Sequence, residues 1–170
     1  LKKNFLYDLH NIIPAMLQRK KYEELSKDSE LVKLSYTLSN YDFYKLCEGA
    51  NIKELREFFN TNAFNALSFT DSRSRYQFYN LKRLWNDLCK LLVTDISLMN
   101  LVSPPLSTEL IYQSISGKED WKNKLNSYYD YDVRTLYAEV FGEYKSYIMK
   151  EEEEIKDIID YMKAWKVEEG

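Results

Sequence analysis

The sequence predicts an all-α protein: a single-domain bundle of about six or seven helices with a long C-terminal helix. Only four glycines and three prolines occur in 170 residues, so few tight turns can be built. Apolar residues recur at steps of three and four over long segments, which is typical of amphipathic helices. Regularly spaced strand and turn signals are missing, and 45% hydrophobic with 30% charged residues is a globular composition.

The first segment, residues 4–24, carries one apolar stripe at helical spacing and is predicted to be a helix. Pro14 lies inside it and is expected to kink the helix or split it near Ile13. A second helix is predicted from residue 31 to Cys47, after a polar break, and an interruption at Ser39-Asn40 stays open. Gly49 is expected to end that helix, because glycine adopts the left-handed conformation found at helix C-termini.

A short third helix is predicted after Asn51, because Glu54 follows three residues later in the pattern of a capping box. Residues 63–70 show no clear pattern. The clearest helix is predicted to begin at Asp71 or Ser72. Its apolar stripe is expected to face the core and consists of Phe78, Leu81, Trp85, Leu88 and Leu92.

Pro104 and Pro105 break the pattern, and we expect a loop at 103–107 within one helical domain spanning 1–170. Beyond it, a helix is predicted from Ser107 to Ser116, ending at Gly117. Two more are predicted to follow. One contains Trp121, Leu125 and Tyr128 or Tyr129, and the last is capped by Asp130 or Asp132 and runs over 133–166.

The composition argues against several functional classes. A net charge of −3 disfavours a domain held mainly by phosphate backbones, and no apolar run reaches the roughly 18 residues of a membrane span. Glycine-rich nucleotide loops are missing, and His10 is the single histidine, with Asp8 on another helical face. We therefore predict a non-enzymatic protein without cofactor or metal.

Two cysteines, Cys47 and Cys89, lie among apolar residues in helical patterns. They are predicted to be buried free thiols, because a small chain with no further cysteines or metal-binding spacing is typical of a reducing environment. The chain is therefore expected to be intracellular.

The fifteen tyrosines exceed what one small core needs. Tyrosine can bury its ring while its hydroxyl stays in water, which suits protein interfaces. Together with the apolar stripe of the last helix, they predict a non-catalytic adaptor or assembly domain that binds a protein partner, as part of a larger protein or complex. The candidate partner-binding residues are Tyr144, Tyr147, Ile155, Ile158, Met162 and Trp165. Whether the last helix projects past the bundle or packs on it stays open, and the sequence carries no signal for an oligomeric state.

An alternative hypothesis is a nucleic-acid-associated helical protein. Arginines and tyrosines alternate in one segment, and such a face can stack on bases while its charge follows phosphates. The candidate residues are Arg73, Arg75, Tyr76, Tyr79, Lys82 and Arg83.

Overall fold

A computed structural model describes residues 2–118, 121–142 and 145–168. It overturns the all-α prediction: the fold is mixed, with 47% helix, 11% strand and two small β-sheets. The chain forms two compact units, residues 1–70 and residues 71–170. That residues 1–170 form one domain stays a prediction, whereas the prediction that this domain is all-helical is wrong.

Unit 1 contains five helices and three strands among its described residues. In chain order they are α1 (Lys2–Asn11), β1 (Met16–Gln18), α2 (Arg19–Ser26), α3 (Glu30–Ser35), β2 (Tyr36–Asn40), β3 (Phe43–Leu46), α4 (Ile52–Thr61) and α5 (Ala66–Phe69). The strands form an antiparallel sheet in the order β1-β3-β2. The buried apolar side chains of unit 1 include Leu9, Ile13, Leu17, Val32, Leu55 and Phe59.

The predicted helix over 31–47 is wrong, because α3 ends at Ser35 and a β-hairpin follows. The hairpin turn is held by Asn40, whose side chain accepts hydrogen bonds from the amides of Asp42 and Phe43 at 3.0 and 3.1 Å. Asparagine promotes such turns by binding backbone two and three residues ahead. Tyr36 anchors the hairpin by donating its hydroxyl to the Pro14 carbonyl at 2.6 Å.

Two N-terminal predictions are confirmed in part. The segment 4–24 splits around Pro14 as expected, although a strand lies between its two helices. Asn51 caps α4, and its side chain accepts from the Glu54 amide at 3.3 Å.

Unit 2 contains three helices, two strands and two 3-10 helices among its described residues. They are β4 (Arg75–Tyr76), a 3-10 helix (Leu81–Arg83), α6 (Leu84–Leu91), β5 (Leu106–Ser107), α7 (Thr108–Ser116), a second 3-10 helix (Ala138–Phe141) and α8 (Glu151–Glu168). Strands β4 and β5 pair antiparallel. Helix α7 contacts α8, and its Ile111 and Tyr112 are buried.

The sequence places α7 correctly. The Ser107 side chain accepts from the Leu110 amide, and Gly117 ends the helix at a left-handed φ of 69°. The helix predicted from residue 71 is wrong in its first half, because α6 begins only at Leu84. The helix predicted around 121–129 is absent, because the described residues form neither helix nor strand there.

The predicted helix over 133–166 is also wrong, since α8 begins at Glu151. Between residues 133 and 150, the helix among the described residues is one short 3-10 turn, Ala138–Phe141. Gly142 follows it with a φ of 116°, which is incompatible with a continuing helix. The prediction that both thiols are buried is also wrong. Cys47 is half-buried and Cys89 is exposed, and both are free.

Candidate functional site

A run of polar residues, 71–77, lies alongside residues 123–133 and is called the polar strap here. The Ser72 amide donates to the Asn123 carbonyl at 2.9 Å, and the Ser72 hydroxyl binds the same carbonyl at 3.0 Å. Further bonds join Ser74 to Tyr129, Arg75 to Tyr129 and Tyr131, and Gln77 to Val133. The strap therefore supplies the partners that the irregular segment 123–133 cannot find in a helix or sheet.

Arg73, a predicted nucleic-acid contact, belongs to the strap. Its guanidinium donates to both carboxylate oxygens of the buried Asp71, at 3.0 and 2.7 Å. The Leu125 amide donates to the same carboxylate at 2.7 Å. These hydrogen bonds hold the pKa of Asp71 well below its ordinary value, and the bond from the Arg73 guanidinium has the largest effect. The Arg73 guanidinium also lies over the Tyr128 ring, 4.6 Å from its centre.

The other predicted arginines are paired as well. Arg75 binds Asp130 at 2.7 Å and lies 3.8 Å from Asp132. Arg83 lies 3.4 Å from Asp157. Carboxylates of the same unit thus balance these guanidinium charges, which weakens their attraction for phosphate.

The tyrosines of this region follow a similar pattern. The Tyr79 hydroxyl donates to Asp87 at 2.8 Å, and burial, followed by that bond, raises the pKa of Tyr79. The Tyr76 ring lies 5.7 Å from the Tyr131 ring, which stacks nearly parallel to Tyr129 at 6.2 Å. Tyr76 therefore lies in a cluster of tyrosine rings, and the Tyr79 hydroxyl binds α6.

The predicted partner-binding residues divide into three groups. Ile158 and Met162 are buried in unit 2, and Ile155 is half-buried. Tyr147 donates its hydroxyl to Asp132 at 2.6 Å. Tyr144 and the Trp165 side chain lie outside the described part of the chain. The inward face of α8 therefore packs, and little of the described apolar stripe is open to a partner.

One group of exposed apolar side chains lies on α6, in the turn before it and at the residue after it. Leu81, Trp85 and Leu92 are 75%, 70% and 76% exposed, and Leu88 is 37% exposed. Trp85 and Leu88 belong to α6, Leu81 lies in the 3-10 turn before it, and Leu92 directly follows it. Their spacing of four, three and four residues is that of neighbours along one side of a helical run. We call the four residues the α6 face. Their helical stripe was predicted to lie in the core, and that prediction is wrong.

The opposite side of α6 is anchored by polar contacts. The Asp87 side chain is almost fully buried and accepts from the Tyr79 hydroxyl at 2.8 Å. Lys90 lies 3.7 Å from Asp87 and 4.8 Å from the centre of the Phe141 ring. Asn80 caps the preceding 3-10 turn by accepting from the Lys82 amide. Because the Asp87 side chain faces the interior of unit 2, the α6 face on the other side of the helix points to solvent.

Unit 1 contains an open cleft of about 470 Å³. Its charged lining mixes signs, with Arg19 and Lys20 opposite Glu23 and Asp42. Arg19 is engaged with the hairpin turn, where its guanidinium donates to the Tyr41 carbonyl at 2.7 Å. Such a lining shows no preference for one class of charged ligand.

A scan of protein-family models, a search of curated proteins and a search of solved structures each found no match to this chain. Within residues 2–118, 121–142 and 145–168, no helix is long and apolar enough to cross a membrane. The same described ranges contain no group of three or more His, Cys, Asp or Glu side chains arranged to hold a metal ion.

Proposed function

We propose that this chain is a non-catalytic protein-interaction module, of the adaptor or assembly kind, and that it binds its partner through the α6 face. The observation that supports this is the exposure of one tryptophan and three leucines on α6 and at its two ends. Contiguous exposed apolar side chains mark interaction sites in soluble proteins, and tryptophan is enriched among the residues that dominate binding energy.

The rigidity of α6 supports the proposal further. The helix is tied to its unit through Asp87 and through the ion pair between Arg83 and Asp157. A face that is held in place before binding loses less conformational entropy when a partner docks. Trp85, at the middle of the stripe, is the expected anchor.

The sequence-based choice of α8 as the docking element is replaced in this proposal by α6. Ile158 and Met162 are needed for packing, so a partner would have to displace them. Both cysteines are free thiols, which fits the proposed intracellular, reducing location.

Affinity capture from cells of the native organism tests the proposal. We expect the wild-type chain to enrich a protein that the Trp85→Ala variant loses. Leu98→Ala is the matched control, because Leu98 is 84% exposed but lies outside α6. Equal capture by wild type and Trp85→Ala would reject the α6 face as the binding surface.

Nucleic-acid binding remains the second hypothesis, and a nuclease-treated arm of the same capture tests it. Arg73→Ala with Arg75→Ala is a poor probe, since both side chains hold the strap. Lys82 is a better one, because its side chain is exposed and it takes no part in the strap. Binding that survives nuclease treatment and the Lys82→Ala change would reject the nucleic-acid hypothesis.

A further inference from the structure

We infer that the α6 face pairs with the α6 face of a second copy of this chain, antiparallel and across a two-fold axis. The inference rests on the proposed function and names its partner. The four side chains of the face are apolar, so two copies can bury them against each other without burying a charge.

The spacing of the stripe favours self-pairing. Its steps of four, three and four residues are the same when read from either end of the helix. In an antiparallel pair, Leu81 of one copy therefore lies opposite Leu92 of the other, and Trp85 lies opposite Leu88. Apolar residues at these alternating steps are the pattern by which two helices pack along a shared seam. Antiparallel helices also bring opposite ends of their dipoles together.

The area available is close to what a dimer needs. The four exposed side chains, together with the exposed Val93 and the partly exposed Leu84, offer on the order of 500 Å² of apolar surface per copy. Two copies would then bury on the order of 1,000 Å², the lower bound for a specific but reversible interface. We therefore expect a dimer with a dissociation constant in the micromolar range.

The charges beside the face are compatible with a second copy. Arg83 and Lys90 each lie beside a carboxylate of their own chain, Asp157 and Asp87. Two copies can approach without bringing unbalanced positive charges from these positions together. An acidic partner, by contrast, would be drawn to the exposed Lys82, which gives a means to distinguish the two.

Light scattering coupled to size-exclusion chromatography of the full chain tests the inference, over roughly 1–500 µM. We expect the mass to rise from one copy to two across this range. Leu81→Glu and Leu92→Lys should each weaken the dimer by about tenfold or more, because each places a charge opposite an apolar residue. Leu98→Glu is the control and should leave the dimer unchanged.

The double variant Leu81→Glu with Leu92→Lys tests the antiparallel register. In this register each new carboxylate faces a new ammonium group of the other copy, so dimerisation should recover relative to either single variant. Two copies in a parallel register would place like charges opposite each other, and the double variant would then remain monomeric. Circular dichroism of each variant verifies that unit 2 is folded.

The outcomes separate the inference from the proposed function. A chain that stays monomeric at every concentration overturns the second copy as partner, and a dimer that Leu81→Glu and Leu92→Lys leave intact does the same. If the monomeric chain still captures another protein through Trp85, the proposed function stands and only the inference fails. Capture of another protein that Lys82→Glu abolishes would identify an acidic partner in place of a second copy and would overturn the inference.

Discussion

Replacement of Gln77 by methionine should destabilise unit 2, because this buried side chain joins two separate segments. Its amide nitrogen donates to the carbonyls of Ser103 and Val133 at 2.6 and 2.7 Å, and its amide oxygen accepts from the Val133 amide at 2.8 Å. Methionine has a similar size but supplies none of these bonds, so three backbone groups lose their partner.

The expected loss is about 2–4 kcal/mol of the free energy of unfolding, since each bond contributes about 1 kcal/mol and orphaned buried groups cost more. All three tryptophans, Trp85, Trp121 and Trp165, lie in unit 2, so tryptophan fluorescence during urea unfolding follows this unit selectively. Gln18→Met, at an exposed position of unit 1, is the control and should leave the transition unchanged. A midpoint for Gln77→Met within error of wild type would refute the structural role of the strap.

Two further predictions concern unit 1 and helix α7. Burial raises the pKa of Asp8 to about 7, against the opposing effect of the 2.6 Å bond from the Ala15 amide. The folded chain thus holds this proton to higher pH than the unfolded chain, so stability of unit 1 should fall from about pH 4 to about pH 7 and level off above. Asp8→Asn should remove that dependence and stabilise unit 1 at pH 8 by up to about 4 kcal/mol, the free energy that corresponds to a pKa raised from 3.8 to about 7. Circular dichroism during urea unfolding at several pH values measures this, and an unchanged pH profile would contradict the prediction. Gly117→Ala should cost about 1 kcal/mol, because Gly117 has a φ of 69° that alanine adopts only with strain, and equal urea midpoints would argue against that conformation.

The sequence predicts the helices that carry their own end signals. Asn51 before α4, and Ser107 and Gly117 around α7, are local features whose effect does not depend on distant residues. The hairpin over Tyr36–Leu46 is missed because its apolar residues also fit a helical spacing. The signal for a turn was present in Asn40, followed by β-forming aromatic residues.

The long helix predicted over 133–166 fails for a different reason. Steps of three and four between apolar residues are frequent by chance in a chain that is 45% hydrophobic. The predicted caps do not start a helix, because Asp130 binds Arg75 and Asp132 binds Arg134. Bonds to distant residues form here instead of a helix. The Gln77 side chain binds Val133, and the Thr135 amide donates to the Ser146 carbonyl. The Ile148 amide donates to the Val102 carbonyl, and such pairing leaves no local pattern in the sequence.

The candidate site shows the same limit. Periodicity indicates that Leu81, Trp85, Leu88 and Leu92 share a face, but it does not indicate whether the protein covers that face. Asp87, on the other side of the helix, holds the decisive information, since its burial against Tyr79 turns the apolar side outward.

The alkylation rate of Cys89 tests most directly whether the α6 face binds protein. Cys89 is exposed, four residues after Trp85 and three before Leu92, so a docked partner would shield it. The half-buried Cys47 of unit 1 is the internal reference. We expect Cys89 to react severalfold more slowly when the chain is concentrated enough to dimerise, or is placed in native cell extract, than in dilute buffer. Trp85→Ala should abolish the difference, and the rate for Cys47 should not change. Equal rates for Cys89 in dilute buffer, in extract and at the concentrations expected to form the dimer would contradict a protein-binding role for this face.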